Sequence, residues 1–272
     1  MLGKIYKKRG KEVHKYDFGS LLVIGGSRVY SGSPAFNALA ALRSGVDLVE
    51  VCSPERVANI IASSSPDLIT HPLKGDYFSE KHLKYIFEVA KNKTACVIGG
   101  GLGRKKETFK AVREFLKKTN LPCVIDADAI YAVSERKNCL KENFVLTPHS
   151  YEFYILSGEK VAKNMEERKK QVKRIARSCG CIILLKGHID IISDGKEIYL
   201  NKTGSPYMTK GGTGDTLAGI CGALLARNAK PIEAAYFGAY INGKAGELAA
   251  KKYKESLLAS DLIEEIPKVI NL

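Results

Sequence analysis

A glycine-rich segment at residues 210–215, KGGTGD, precedes an apolar run that extends to residue 225. Glycine leaves main-chain N–H groups uncovered, and at the start of a helix such groups form a pocket for an anion. We predict that Gly212, Thr213 and Gly214 form this anion hole. The neighbouring Asp215 carboxylate is a candidate base that faces a phosphate group. The alternative is a simple helix cap, but a cap needs one polar residue and not three glycines.

Small and polar residues also follow other apolar, strand-like runs of the sequence. The segments that they form are residues 25–27, 99–103, 126–128, 147–149 and 186–187. If the runs are parallel strands, their carboxyl ends meet at one edge of the sheet, where ligands bind in open α/β folds. The sequence therefore predicts one ligand-binding edge that includes the anion hole.

Five polar side chains at this edge have both a chemical and a structural interpretation. Asp126 and Asp128 either hold a metal ion or a ligand hydroxyl, or they cap a helix. His149 either binds a substrate or is an ordinary loop histidine. Glu152 is placed to order water bound to Mg²⁺, which needs few protein ligands. Lys186 either meets a nucleotide phosphate or is a solvated lysine at a strand end.

The elements that must position these residues alternate between strand and helix patterns. Short apolar runs, such as residues 20–24 and 95–98, indicate buried strands, and amphipathic stretches such as residues 79–92 indicate helices. Residues 190–193 and 196–200, joined around Asp-Gly, predict a hairpin.

The alternation continues without a linker or an internal repeat, which predicts a single domain over residues 1–272. Its predicted fold class is α/β, a three-layer sandwich in which helices flank a mostly parallel central sheet. The polar and basic residues 1–16 are expected to form a loose arm.

Composition narrows the class of protein. The net charge is +14, but basic residues are spread over separate segments and mixed with glutamate at helical spacing. We interpret this charge as a lysine-rich surface and not as a nucleic-acid-binding groove. Without an N-terminal apolar signal region or a run of 18 apolar residues, secretion and membrane spanning are not expected. The seven cysteines, an odd number, predict free thiols in a cytoplasmic protein.

Two common nucleotide-binding motifs are missing from the sequence. Residues 99–104 are rich in glycine but lack the G-x-G-x-x-G spacing, which disfavours a hydride-transferring Rossmann enzyme. No G-x-x-x-x-G-K-[ST] phosphate loop occurs either. A nucleotide would therefore have to be bound by another arrangement.

Taken together, these segments resemble the ADP-dependent NAD(P)H-hydrate dehydratases, a family of the ribokinase-like superfamily. The resemblance covers roughly residues 14–250, in family order. The stretches that carry it are residues 25–27 with 30–34, 40–45, 101–104, 126–129, 146–149 with Glu152, 185–187, 201 with 203–204, and 211–215. The last of these, GGTGD, alone indicates only the superfamily, whereas the ordered set is specific.

The resemblance implies an enzyme that uses ADP or ATP, with Mg²⁺, to convert hydrated NADH or NADPH, called NAD(P)HX, back to NAD(P)H. Asp215 would be the catalytic base, and Ser33, Gly103 and His149 would also contact the hydrated dinucleotide. Mg²⁺ would meet Glu152 indirectly. A homo-oligomer, commonly a tetramer, is implied as well. The residues that would bind the adenine nucleotide are Lys186, Gly187, His188, Ile189, Asp190 and Gly214.

The chain departs from the family pattern at three places. Ser33 replaces the usual alanine, Ser150 and Tyr151 replace Pro-Gly after the histidine, and Ser205 replaces an asparagine. None of these changes touches Asp215, but they leave the substrate contacts less defined. Family members often carry an additional epimerase domain, which we do not expect within these 272 residues.

The implied reaction begins when Asp215 takes the proton of the ring hydroxyl. At the same time, the oxygen of that hydroxyl attacks the terminal phosphate of ADP or ATP. The N–H groups of residues 212–215 would stabilise the developing charge. The ring nitrogen would then expel phosphate. One alternative is a small-molecule alcohol kinase of the same superfamily, of the hydroxymethylpyrimidine or hydroxyethylthiazole type. Another is a non-catalytic nucleotide- or RNA-binding module, with salt-dependent affinity.

Overall fold

A computed structural model describes residues 2–6 and 8–271. Within these ranges, nine strands form one sheet. The strands are β1 (Ser20–Ile24), β2 (Leu48–Pro54), β3 (Ile69–Leu73), β4 (Ala95–Ile98), β5 (Cys123–Ile125), β6 (Phe144–Leu146), β7 (Ile182–Leu185), β8 (Asp190–Ser193) and β9 (Ile198–Asn201).

The sheet has the order β3-β2-β1-β4-β5-β6-β7-β8-β9. Strands β1 to β7 pair in parallel, and β8 and β9 add an antiparallel hairpin. Asp194 stabilises the hairpin turn, since its Oδ1 accepts the N–H groups of Lys196 and Glu197, both at 2.8 Å. The predicted mostly parallel sheet is confirmed.

Helices cover both faces of this sheet. They are α1 (Leu2–Ile5), α2 (Gly32–Arg43), α3 (Glu55–Ser64), α4 (Leu83–Ala90), α5 (Lys106–Lys118), α6 (Asp128–Ser134), α7 (Ser150–Ser157), α8 (Met165–Cys179), α9 (Thr213–Ala226), α10 (Pro231–Tyr253) and α11 (Ala259–Ile270).

The central strands are buried on both faces, because their side chains alternate between two apolar cores. Leu21 and Val23 join the core formed with α2, α3, α9, α10 and α11, whereas Leu22 and Ile24 join the core of α4 to α8. The predicted three-layer α/β sandwich is therefore confirmed. No helix within the described ranges is both long and apolar enough to cross a bilayer.

Four elements escaped the sequence analysis, among them α1 in the N-terminal segment. Within the described part of the chain, strand β3 pairs with β2 alone, at the edge of the sheet. It contains Pro72 and partly exposed side chains, so it lacks a continuous apolar run. Helices α6 and α7 have only seven and eight residues. Elements this short carry too few turns for a clear helical period.

The N-terminal segment differs from the loose arm that its polar composition suggested. Tyr6 donates a hydrogen bond to the Ser44 carbonyl at 3.1 Å, and the Arg227 guanidinium lies 4.8 Å from its ring centroid. Arg9 pairs with Asp47 at 3.1 Å. Aromatic and guanidinium contacts thus anchor the segment beside β2. Positions 1, 7 and 272 lie outside the described residues.

Candidate active site

The site is built around the N-terminus of α9. Gly212 caps this helix with φ +95°, in the left-handed region that favours glycine. A methyl group at this position would lie 2.8 Å from the Ala259 side chain and 2.9 Å from the Phe36 ring. The Thr213 hydroxyl lies 2.8 Å from the Met208 carbonyl and closes the preceding loop.

The N–H groups of Thr213, Gly214 and Asp215 belong to the first helical turn. Such groups have no partner within the helix, and they coincide with the positive end of its dipole. The structure therefore places the predicted anion hole at the start of a long buried helix. The role of these groups in binding phosphate stays a prediction.

Asp215 lies in the first turn of this helix, and its Oδ1 and the Ser33 Cβ face the same small space beside Gly100. Burial, chiefly, raises the pKa of Asp215 from 3.8 to about 7, and the Asp126 carboxylate adds to this. The Ser33 hydroxyl and the Lys186 ammonium act in the opposite direction, and Glu152 adds a smaller increase. A carboxyl group with a pKa near neutrality is suited to take and release a proton.

Lys186, which follows β7, lies between carboxylates and the anion hole. Its Nζ is 3.0 Å from Asp126 Oδ1, 3.8 Å from Glu152 Oε2, and 3.4 Å from where a methyl group at Gly214 would be. Burial alone lowers the pKa of Lys186, but Asp126 and Glu152 more than offset it, so the pKa is raised. A fixed ammonium group beside the anion hole can bind a phosphate.

Asp126 and Asp128, the two aspartates after β5, have different contacts. Neither of them caps α6, because the N-cap residue of this helix is Ala127 and no side chain forms a capping hydrogen bond. Asp126 is buried, and its Oδ1 also accepts the Thr147 hydroxyl at 2.7 Å. Asp128 accepts the N–H of Gly103 at 2.9 Å through its Oδ2. Asp126 therefore orients Lys186, and Asp128 shapes the loop that contains Gly103.

His149 caps α7, because its Nδ1 accepts the N–H groups of Tyr151 at 3.1 Å and Glu152 at 3.3 Å. The remaining ring nitrogen, Nε2, is 3.4 Å from Glu152 Oε1. Burial lowers the pKa of His149, and Lys186 lowers it further. The neutral ring thus carries its proton on Nε2.

Glu152 is buried and accepts the main-chain N–H of His149 at 2.9 Å. Burial raises the pKa of this glutamate, although Lys186 opposes the increase. Within the described ranges, no three His, Cys, Asp or Glu side chains are grouped as metal ligands. This carboxylate, with Asp126, fits a Mg²⁺ ion that keeps its water and is held mainly by phosphates.

A cavity of 820 Å³ opens beside Lys186 and the anion hole, a volume within the usual range for small-molecule sites. Of the residues predicted to bind a nucleotide, all but Ile189 line it: Lys186, Gly187, His188, Asp190 and Gly214. His149 lines this cavity too. Ser33, Gly103 and Asp215 do not line this cavity.

Asp190 braces the cavity wall. Its Oδ1 accepts the N–H of Gly187 at 3.0 Å, and its Oδ2 accepts the Asn201 amide at 2.9 Å. Asn201 in turn accepts the hydroxyl of Thr203, another lining residue, at 2.8 Å. Burial raises the pKa of Asp190, and these hydrogen bonds oppose the increase. The 186–190 loop is thereby held in shape.

The opposite wall of the cavity includes α10 residues that sequence reasoning missed. Asn242 is buried, and its Oδ1 accepts the Thr216 hydroxyl at 2.7 Å while its amide donates to the Thr213 carbonyl at 3.3 Å. Ala239 and Gly243 line the cavity on the same face. The signal was available in principle, since two small residues four positions apart leave space on one helix face.

The chain was compared with known proteins. A 44% identical relative is the "Bifunctional NAD(P)H-hydrate repair enzyme Nnr" of Pyrobaculum aerophilum, with 96% of this chain matched to 52% of the relative. This chain thus spans about half the length of that relative. The "ADP-dependent (S)-NAD(P)H-hydrate dehydratase" of Cenarchaeum symbiosum is 38% identical, over 98% of this chain and 93% of that protein.

A solved structure also matches the whole chain. It is the ADP/ATP-dependent NAD(P)H-hydrate dehydratase from Bacillus subtilis, co-crystallised with ATP and Mg²⁺, with a TM-score of 0.84 and 26% identity. The match covers 100% of this chain and 96% of that structure. The fold is therefore the ribokinase-like one that the resemblance implied. Since the NAD(P)H-hydrate dehydratase family model also matches residues 21–268, the chain belongs to that family.

Proposed function

We propose that this protein converts NAD(P)HX to NAD(P)H by an ADP- or ATP-dependent dehydration. The observation that carries this proposal is the position of Asp215. Its carboxyl group, with a pKa of about 7, adjoins the N–H groups of the first turn of α9. Lys186 and the 820 Å³ cavity lie beside this helix start. A base, a phosphate site and a nucleotide-sized cavity are what phosphoryl transfer to a hydroxyl requires.

In the first step, Asp215 removes the proton from the ring hydroxyl of the substrate. The hydroxyl oxygen forms a bond to the terminal phosphorus of the nucleotide, and the anhydride bond of that phosphoryl group breaks. The N–H groups of Gly214 and its neighbours, with Lys186, stabilise the charge on the transferred group. Mg²⁺, when bound, neutralises charge on the nucleotide phosphates, and Asp126 and Glu152 would hold it through water.

In the second step, the ring nitrogen lone pair expels the phosphate, because phosphate leaves far more readily than hydroxide. The departing phosphate then takes a proton from the neighbouring ring carbon, which restores the double bond of the dihydronicotinamide. Ser33 and Gly103 are proposed to contact the dinucleotide, in keeping with their position outside the nucleotide cavity and with the Ser33 Cβ near Asp215. His149, which lines the cavity, is proposed to contact the dinucleotide as well.

The test is to incubate the purified protein with NADHX or NADPHX, Mg²⁺, and either ADP or ATP. The expected result is return of the nicotinamide absorbance together with one free phosphate per turnover. Asp215→Asn is the control, and it should bind the nucleotide without turnover. A protein that binds NADHX and nucleotide but yields no NADH would contradict the proposal.

An alcohol kinase would use the same base and anion hole, so product analysis decides between the two. A kinase leaves a stable phosphoester of a hydroxymethylpyrimidine or hydroxyethylthiazole, whereas the proposed reaction leaves free phosphate. We favour the dehydration because full-length relatives bear that name.

Assembly and location are further parts of the proposal. We expect a homo-tetramer, to be checked by light scattering, and a cytoplasmic location, in keeping with seven cysteines that are all buried and free.

A further inference from the structure

Asn37 on α2 is a buried polar residue that contacts the main chain of Asp215. It is 1% exposed, and its amide nitrogen donates to the main-chain carbonyl of Asp215 at 2.7 Å. Its amide oxygen, Oδ1, is buried and has no hydrogen-bond partner among the described residues. Burying an unpaired acceptor destabilises a fold, so such an atom calls for an explanation.

The unpaired oxygen shares a small space with the carboxyl group of Asp215. A methyl group placed on Gly100 would lie 3.1 Å from Asn37 Oδ1 and 3.0 Å from Asp215 Oδ1. The Ser33 Cβ is 2.9 Å from the same point. Both oxygens therefore line the space against Gly100, which only a residue without a side chain leaves open.

The chemistry of this pair depends on whether Asp215 carries a proton. Two oxygens without a hydrogen between them only repel, so the ionised carboxylate gains nothing from Asn37 Oδ1. A protonated carboxyl group, however, is a donor, and a neighbouring amide oxygen is then a matched acceptor. Oδ1 is shielded from solvent and lines the same small space as Asp215 Oδ1, so a proton on Asp215 is the candidate donor for it.

We propose that Asn37 is a positioning residue for the base: its amide nitrogen fixes the main chain at Asp215, and its amide oxygen accepts a hydrogen bond from Asp215 after that residue has taken the substrate proton. No bond to Asn37 forms or breaks, and its amide stays neutral throughout. The proposal extends the function given above, because it assumes that Asp215 cycles between ionised and protonated forms.

The other charged groups that act on Asp215 come from the sheet edge and from α7. They are Asp126 after β5, Lys186 after β7 and Glu152 on α7. None of them belongs to α2, so a substitution at Asn37 changes the surroundings of Asp215 without removing one of these charges. The pH at which Asp215 titrates is therefore a direct measure of the Asn37 contact.

The test compares Asn37→Leu, which removes the amide at similar volume, with Asn37→Asp, which keeps the shape and adds a carboxyl group. The matched control is Asn143→Leu. Asn143 also has a buried, unpaired Oδ1, but it precedes β6 at the opposite end of the sheet from the site. The Asp215 carboxyl is titrated by carbon-13 NMR, with its signal assigned from Asp215→Asn.

We expect Asn37→Leu to lower the titration midpoint of Asp215 by about 0.5–1 pH unit, because the protonated form loses its acceptor. Asn37→Asp should raise the midpoint, since a second carboxylate disfavours ionisation of the first. Asn143→Leu should leave it unchanged. Where turnover is measured, the acid limb of kcat should move with the midpoint, while nucleotide affinity stays within about twofold.

A midpoint that moves neither in Asn37→Leu nor in Asn37→Asp would overturn the inference. Should the leucine variant fail to fold, Asn37→Ala takes its place, because it also removes the amide oxygen and should lower the midpoint in the same way. The NMR titration needs no substrate, so this result is distinct from a failure of the proposed function, which would appear as wild-type protein without NADHX turnover.

Discussion

Replacing Asp215 with asparagine is expected to stabilise the protein at alkaline pH while removing its turnover. Burial raises the pKa of Asp215 from 3.8 to about 7, which means that the fold disfavours the ionised form. Asparagine has nearly the same shape without the charge. Turnover should fall about 10²–10⁴-fold, the usual scale for a general base.

The pH dependence follows from the two pKa values. Below the unfolded-state value of 3.8, Asp215 is protonated in both states and does not affect stability. As the pH rises, the unfolded chain ionises first, so the wild type loses stability until the folded-state pKa of about 7 is passed. The full difference in unfolding free energy between Asp215→Asn and the wild type has an upper bound of about 4 kcal/mol. Partial solvent access to the carboxyl group reduces this difference to about 1–3 kcal/mol.

The assay is urea unfolding of both proteins at several pH values between 4 and 8, with Asp67→Asn as a control for the same change at an exposed position. The gain in unfolding free energy for Asp215→Asn should grow with pH and level off above about 7. A gain that is absent at pH 8, or equal at all pH values, would refute the assignment of a raised pKa to this carboxyl group.

Three further predictions concern the surroundings of Asp215. Gly212→Ala should lower the free energy of unfolding by about 1–3 kcal/mol and reduce turnover, because φ at this position is +95° and the added methyl group would collide with Phe36. Urea unfolding measures the first effect, and steady-state kinetics measure the second. Lys186→Met should weaken nucleotide binding at least about tenfold, measured by calorimetry, and a variant that binds normally would exclude Lys186 from the phosphate site. Asp126→Asn should move the acid limb of kcat to lower pH, since the Asp126 carboxylate raises the pKa of Asp215; an unmoved limb would contradict that coupling.

Much of the scaffold was predictable because buried parallel strands are continuous apolar runs. The strands at residues 20–24 and 95–98 were predicted with the bounds that the structure has. The edge strand β3 was not, since a strand with one partner and one exposed side tolerates proline and polar residues.

The site was predictable in its location but not in its internal contacts. The rule that ligands bind at the carboxyl ends of parallel strands placed Asp126 and Lys186 at one edge, where they are 3.0 Å apart. Nothing in the sequence could show that Asn37, 178 positions before Asp215, donates to its carbonyl. Contacts between helices depend on packing angles that a single sequence does not specify.

The choice between kinase and dehydratase rests on the substrate more than on the protein. In the proposed mechanism, Asp215, the anion hole and Lys186 take part in the transfer of a phosphoryl group to a hydroxyl, which both reactions share. Elimination follows when the phosphorylated carbon adjoins a nitrogen whose lone pair can expel the phosphate. A simple alcohol that reaches Asp215 should therefore accumulate as a stable phosphoester, even in a true dehydratase. If the protein also cleaved phosphate from such an ester, it would need a second catalytic group besides Asp215, and the single-base mechanism would have to be abandoned.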